Sequence, residues 1–568
     1  MNRRSFLGTL AAIPLTPSLA FADKHPPAST ATPESDRFHL TLNRVLHGSN
    51  PAYTPDFLLE DIHATPGRRF TEFSGDVSGR WVGALASASS EYGTPFPILD
   101  EVVHRVIAAQ HPDGYFGSAF HYDQPTDRDL ALLWGNGRLL VGLMEYHSLT
   151  KDPATLASAR KLGDFLVRIG PEFNSKKMAD DFGAAHFASS YICWTQQTEG
   201  LAALYAVTHD DRYKDLCAAI SERIERRPSD HVHGYLCSLR GTVDLYQATH
   251  DSTHLRRAED GWLSVMNSGD VLVTGGVPEA WSPKRLRTEG CAECDWLRLN
   301  LSLWRATANP KYLDTAEHIL FNEFSMNQFS TGDFGHATLD ESGIPQIVSV
   351  RAWWCCTLHG LRAFPDVHRT AFRSTGQSLF YDLPVDSTFT QAGLHVEAKS
   401  SLAQDGTIQL KVKQSPAGQR LTVRQPAWAE TIHLDRNGHP VPGLTVSNLT
   451  PNDTITITYA MEKKQTPSPG NKGQLFTYGP WLLGAPSAVN PGYFNELHPR
   501  NTLLPATLQT ASEPAQNLFA VPVAAAQSAY IPAEFPEQPS QVQLRAVAEQ
   551  TSMLPTPWQI AFQVKKTS

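Results

Sequence analysis

Positive charge is sparse in this 568-residue chain, and cysteine is scarce. Lysine and arginine number 48 against 57 acidic residues, the net charge is -9, and no long basic run occurs. Such a surface offers little to a phosphate backbone, so nucleic acid is excluded as a partner. Charged residues make up 18% and hydrophobic ones 41%, an ordinary globular composition, and the length allows two or three domains. The apolar run Leu7 to Ala20 is too short, and too broken by Pro14 and Pro17, to span a bilayer, so no integral membrane segment is expected in the mature chain. Aromatic residues, by contrast, are plentiful: 12 Trp, 16 Tyr and 26 Phe. Rings fill cores, and they also stack on sugars.

The N-terminus carries an address. Asn2-Arg3-Arg4-Ser5-Phe6-Leu7 is a twin-arginine pattern, followed by the apolar run and a small-x-small cleavage site at Ala20-Phe21-Ala22. It predicts a periplasmic or secreted protein exported already folded, with thiols kept reduced and any metal loaded before export. No lipoprotein cysteine is present. The Pro/Ser/Thr-rich residues 23–35 read as a linker.

A helical pattern then repeats. Leu139 to Tyr146 leads to Leu149-Thr150-Lys151-Asp152; Leu201 to Tyr205 leads to Thr208-His209-Asp210; Leu239 to Tyr246 leads to Thr249-His250-Asp251; Leu297 to Trp304 leads to Thr307-Ala308-Asn309. Each unit is an amphipathic helix ending near an aromatic, a polar turn and a second helix, at helix-pair spacing of roughly 40 to 60 residues. Two earlier helices, around 79–91 and 97–110, extend the array. The linkers between pairs are long and irregular, which favours a closed α/α toroid with a deep pocket over a uniform solenoid. From about 374 the pattern becomes short alternating runs separated by Asp-Gly, Asn-Gly and Asn-Asp turns, an antiparallel β-sandwich. The expected division is an address over 1–22, a linker over 23–35, a helical domain over 36–373, a sandwich over 374–486 and a β-rich extension over 487–568.

Four of the seven cysteines lie in two short clusters, Glu289-Gly290-Cys291-Ala292-Glu293-Cys294 and Trp353-Trp354-Cys355-Cys356. Thiolates converging with a carboxylate suit Zn²⁺. Two ligand sets fit: Glu289, Cys291, Cys355 and Cys356, or the same thiols with Cys294 in place of Glu289, because Cys291 and Cys294 share a helical face. A disulfide or buried free thiols would be the structural alternatives; Cys193, Cys217 and Cys237 read as core thiols. His186, His233, His336 and His359 stand as candidate sugar contacts or an extra ligand, and Trp194 as an aromatic contact.

The order Val273-Thr274-Gly275-Gly276-Val277, Glu279, Glu289-x-Cys291-Ala292, then Thr307, Tyr312 and Leu320-Phe321-Asn322-Glu323-Phe324, resembles the bacterial β-L-arabinofuranosidases of glycoside hydrolase family 127. Leu421 to Trp428 and Phe476 to Trp481 extend the likeness, which runs from about residue 70 to 486. The resemblance implies an (α/α)6 barrel followed by β-sandwich domains. It also implies a zinc held by Glu289, Cys291, Cys355 and Cys356, with Cys355 as nucleophile and Glu279 as general acid/base. The chain departs from the family in Thr357-Leu358-His359 after the cysteine pair, in a shorter loop from Glu279 to Glu289, and in Trp194-Thr195-Gln196-Gln197 where sugar-pocket histidines are usual.

The expected activity is retaining hydrolysis, exo-acting on a terminal β-L-arabinofuranosyl or related sugar. Two rival readings stand beside it. One is a toroid glycosidase or polysaccharide lyase using carboxylates such as Asp180, Asp181 or Glu199, with zinc purely structural. The other is a non-catalytic carbohydrate-binding protein.

Overall fold

In this computed structural model the described residues are 34–63, 70–183, 190–340, 344–471, 473–491, 493–494, 509–510, 519–522, 541–550 and 557–564. The twin-arginine address, its cleavage site, most of the linker and His186 lie outside them.

Twelve longer helices build the first part. They are α1 (Glu34–His47), α2 (Asp76–Tyr92), α3 (Pro97–Ala108), α4 (Asp127–Thr150), α5 (Pro153–Phe173) and α6 (Thr198–Thr208), then α7 (Asp211–Ser221), α8 (Val232–Thr249), α9 (Ser252–Met266), α10 (Gly290–Thr307), α11 (Pro310–His318) and α12 (Trp354–Ala371). Helices α2, α4, α6, α8, α10 and α12 each pack against the next, and α12 packs back on α2, which closes a ring. The others lie outside, each beside its hairpin partner. The sixth pair joins distant sequence: α1 packs on α12. The result is an (α/α)6 barrel.

One turn recurs in four of the hairpins. In Thr150-Lys151-Asp152 the Thr150 hydroxyl donates to the Tyr146 carbonyl (2.9 Å) and accepts from the Asp152 amide (3.2 Å). The Asp152 carboxylate then caps α5 by accepting from the Ala154 and Thr155 amides. Thr208, Thr249 and Thr307 repeat this with the caps Asp210, Asp251 and Asn309. The middle residues Lys151, His209, His250 and Ala308 all take the left-handed conformation (φ 58, 52, 59 and 53°), which ends the inner helix and reverses the chain.

Polar residues fill the barrel axis. Arg240 of α8 pairs with Glu199 of α6 and Asp295 of α10; Arg362 of α12 reaches Glu199 and Glu145 (both 2.8 Å); Arg298 of α10 pairs with Asp366 of α12. A hairpin, β1 (Gly335–Leu339) and β2 (Pro345–Ala352), precedes α12.

After α12 the chain is β. Six strands between Ser387 and Met461 form one sheet and four between Phe372 and Val446 another, each burying alternate residues as the halves of a sandwich do. One pair, Ser378–Tyr381 with Arg420–Val423, is parallel. The expected boundary at 486 is corrected. Strands Lys463–Pro467, Gln474–Tyr478 and Trp481–Pro486 join Gln509–Thr510, Phe519–Pro522, Gln541–Ala546 and Trp558–Gln559 in a seven-stranded sheet. The alternating pattern shows which segments are strands; which partners they take is a long-range matter. No helix among the described residues is long and apolar enough to cross a membrane.

Candidate active site

Every inner helix follows an outer one, so the six inner helices run the same way and their N-termini gather at one end of the barrel. A cavity of about 190 Å³ opens there. Asp76 and Arg80 enter it from the first turns of α2, Trp134 from α4, and Trp354 and Cys355 from the first turn of α12. His231, Glu289 and Trp353 occupy the N-cap positions of α8, α10 and α12. Free amides and the positive ends of the helix dipoles therefore face the cavity, an arrangement that stabilises thiolates and carboxylates.

Glu279 is placed by backbone pairing. Its carbonyl accepts from the Val232 amide (2.9 Å) and its amide donates to the Arg287 carbonyl (2.8 Å). The Thr288 amide donates to the Ala337 carbonyl (2.7 Å), which fixes Glu289 against β1. Arg287 holds both carboxylate oxygens of Glu279, and His336 Nε2 lies 3.7 Å from one of them. The Thr274-Gly275-Gly276 loop runs behind. A Cβ on Gly276 would collide with the Glu293 carboxylate and the Glu323 side chain, so only glycine fits. Burial pushes both of those carboxyls up, Glu323 to about 7.

Glu289, Cys291, Cys355 and Cys356 converge. One ligand atom from each lies within 4.8 Å of all the others, with Cys291 Sγ 3.8 Å from Cys356 Sγ and Cys355 Sγ 4.0 Å from Cys356 Sγ. A tetrahedral ion with Zn–S bonds of about 2.3 Å sets its sulfurs about 3.8 Å apart, so the spacing fits that geometry. The charges argue in the same direction. Burial and the neighbouring thiols push Cys291 and Cys356 well up. Burial opposes ionisation of Cys355 as well, yet hydrogen bonds from Cys291 and Cys356 and the Arg80 guanidinium hold it well below the usual thiol range. Three thiolates and a carboxylate gathered this closely would need a cation to balance them. Cys294 is buried and lies outside the cluster, so the rival ligand set is not formed. All seven cysteines are free.

Of the four predicted ligands, Glu289 and Cys355 line the cavity, whereas Cys291 and Cys356 are fully buried. Glu279 and His336 also line it. His336 is 7% exposed and its Nδ1 has no hydrogen-bond partner among the described residues. Three expectations are corrected. Trp194 is fully buried beside Phe173, with its Nε1 3.4 Å from Asn174 Oδ1, because the short helix carrying it turns the indole into the core. His233 and His359 sit one helical turn below the thiols, against Asp295, not in the cavity wall. The carboxylates of the rival reading are elsewhere: Asp180 and Asp181 are exposed and paired with Lys176 and Lys177, and Glu199 is locked among arginines.

Sequence reasoning missed Arg80 and His231. His231 Nε2 lies 2.8 Å from Glu289 Oε2, and although burial opposes it, that carboxylate raises the imidazole above its ordinary value. The signal was present in His231-Val232-His233. The first histidine is the N-cap and faces the cavity; the second lies inside α8 and faces the axis.

A family model described as β-L-arabinofuranosidase, GH127 catalytic domain, matches residues 59–369. The chain belongs to this glycoside hydrolase family. Among solved structures, a GH127 β-L-arabinofuranosidase from Geobacillus stearothermophilus T6 superposes with a TM-score of 0.68 at 14% identity, over 95% of this chain and 100% of its own. A second GH127 β-arabinofuranosidase gives 0.69 at 15% identity, over 95% and 99%. At these identities the likeness concerns the fold, the (α/α)6 barrel with its following β-sandwich. No curated protein matches the chain by sequence. The family match spans both cysteine clusters, Glu279 and the whole cavity floor. It makes the chain a carbohydrate-active hydrolase and sets aside the non-catalytic reading.

Proposed function

We propose that this family member is a retaining, exo-acting glycosidase that releases a terminal β-L-arabinofuranosyl or closely related sugar. Cys355 is the nucleophile, Glu279 the general acid/base, and Glu289, Cys291, Cys355 and Cys356 the residues that hold zinc. One observation carries the reading: of the three thiols in the cluster, Cys355 alone also lines the cavity, so one sulfur can reach both the cluster and a bound sugar. The activity of the structural relatives, β-arabinofuranosidases, supports this choice of sugar. A cavity of this size, closed below by the barrel axis, takes one terminal residue and not a chain running through.

Zinc, when bound, would keep all three thiols deprotonated near neutral pH. The Cys355 sulfur attacks the anomeric carbon while Glu279 gives its proton to the leaving oxygen. Glu279 then takes a proton from water, which breaks the carbon–sulfur bond and restores the configuration. Arg287 holds both carboxylate oxygens of Glu279 in the free protein, so handing a proton to the leaving oxygen needs that grip to open; the Arg287 side chain is 40% exposed and has room to swing. His231 orients Glu289, and the aromatic wall of Trp134, Trp353 and Trp354 excludes water.

The test is hydrolysis of an aryl β-L-arabinofuranoside with zinc content measured in parallel. Cys355→Ser abolishes turnover, because a serine hydroxyl is a far weaker nucleophile at this pH. Glu279→Gln keeps zinc and loses more activity on poor leaving groups than on activated ones. Full activity in Cys355→Ser overturns the assignment. The same reading takes Asn2 to Leu7 as a twin-arginine export address; an unprocessed chain confined to the cytoplasm of its source overturns that part.

A further inference from the structure

A second buried cluster lies one helical turn beneath the thiols. Asp295 follows Cys291 by four residues on α10, and His359 follows Cys355 by four on α12, so each sits directly below its cysteine. His233 and Cys237 of α8 complete the group, and one ligand atom from each of the four lies within 4.8 Å of the others. By residue type this is a second metal site. Its hydrogen bonds say otherwise. The Cys237 thiol donates to Asp295 Oδ2 (2.8 Å) and His233 Nδ1 pairs with the same oxygen. Arg240 pairs with Asp295 Oδ1, Arg138 donates to Cys237 Sγ (3.2 Å), and Arg80 Nη1 donates to His359 Nδ1 (2.7 Å). A guanidinium has no acceptor to offer. His359 Nδ1 is therefore the acceptor, and its Nε2–H faces Asp295 Oδ2 at 3.4 Å. A cation here would meet three arginines and an imidazole whose lone pair is already taken.

We propose that this cluster is a metal-free anchor whose task is to hold Arg80, and that Arg80 is a positioning residue for the zinc-binding thiols above. Arg80 is 5% exposed and reaches both layers. Its Nε donates to Asp76 (2.7 Å) and Nη1 donates to His359 below and to Cys291 Sγ above (3.6 Å). The charge balance shows why it is needed. Three thiolates and one carboxylate on a divalent cation leave two negative charges in a buried site. His231 meets Glu289 on one side, and Arg80 meets the sulfurs on the other. A hydrogen bond from a guanidinium to a coordinating sulfur also fixes the direction of that sulfur.

The inference rests on the zinc reading, and its test separates the two. Zinc affinity is measured by chelator competition on the purified chain, with the metal content of each variant and its thermal unfolding recorded alongside. Arg80→Met is expected to weaken zinc binding about 10–100-fold, and Arg80→Lys to recover part of the loss. In the cobalt-loaded protein, Arg80→Met also shifts the thiolate-to-metal absorption band, which a merely structural role would not move. Should Arg80→Met fail to accumulate as folded protein, His359→Leu is read in its place, since it removes the acceptor of Arg80 Nη1 and leaves the guanidinium present; the same weakening is expected. Zinc bound as tightly by these variants as by the parent chain overturns the inference and leaves the zinc reading standing. So does a second metal equivalent that is lost on Cys237→Ser. A parent chain that binds no zinc overturns the zinc reading itself.

Discussion

At the residue scale the site turns on neighbours that face different ways. Consecutive residues in a helix point about 100° apart, so Cys355 can line the cavity while Cys356 stays buried behind it. The same geometry separates Glu289 from Cys294. Glu289, at the N-cap of α10, bends back to the thiols; Cys294, within the helix, does not. Glu289→Gln should therefore lose zinc affinity by on the order of tenfold or more, while Cys294→Ser keeps it, as read by elemental analysis after dialysis against a chelator. The opposite pattern would move the fourth ligand to Cys294. The converging cluster of Glu289, Cys291, Cys355 and Cys356 was legible in the sequence because each pair is local and chemically unusual. Arg80 was not, because nothing in a helix that also carries Trp81, Val82 and Leu85 announces that one arginine reaches a sulfur 211 positions away. His231 was missed by two residues, since the start of α8 decides which histidine is the cap.

At the element scale, the repeated Thr-x-Asp/Asn turn was legible because it is made of caps and hydrogen bonds within a few residues. Its middle residue carries a cost. Ala308 takes φ 53° with a Cβ, a conformation that disfavours any residue but glycine by about 1 kcal/mol. Ala308→Gly should raise the unfolding free energy by up to about that amount, measured in denaturant; a loss of stability would mean the Ala308 side chain contributes more than the turn costs. The axis is the opposite case. Glu199 answers Arg240, Arg362 and Arg138 in a buried network, so Glu199→Gln should cost about 3–5 kcal/mol by leaving guanidiniums unpaired. A change below about 1 kcal/mol would show the network relaxes around the loss. The closing pair of α1 with α12, and the sheet joining residues 463–486 to the last strands, were not legible. Both depend on contacts between segments far apart in the sequence, where no local pattern distinguishes one partner from another.

At the scale of the whole molecule, the barrel carries its chemistry at one end and its charge along the axis. Burial opposes ionisation of Glu199 and Asp366, yet the surrounding arginines hold both well below the usual carboxylate range. A depressed folded pKa contributes stability at pH above the unfolded value and loses it as pH falls towards the folded one. The melting temperature should therefore hold between about pH 7 and 5 and drop below about pH 4, with Glu199→Gln showing a shallower drop; identical slopes would remove Glu199 from the cause. The proposed nucleophile Cys355, at the head of the (α/α)6 barrel, can be trapped in the act. The protein is mixed with an activated aryl β-L-arabinofuranoside, quenched in acid within the first turnover, digested and read by peptide mass spectrometry. One pentosyl group attached through sulfur to Cys355 is expected. A pentosyl ester on an aspartate or glutamate, or turnover with no adduct on Cys355, would contradict the thiolate mechanism.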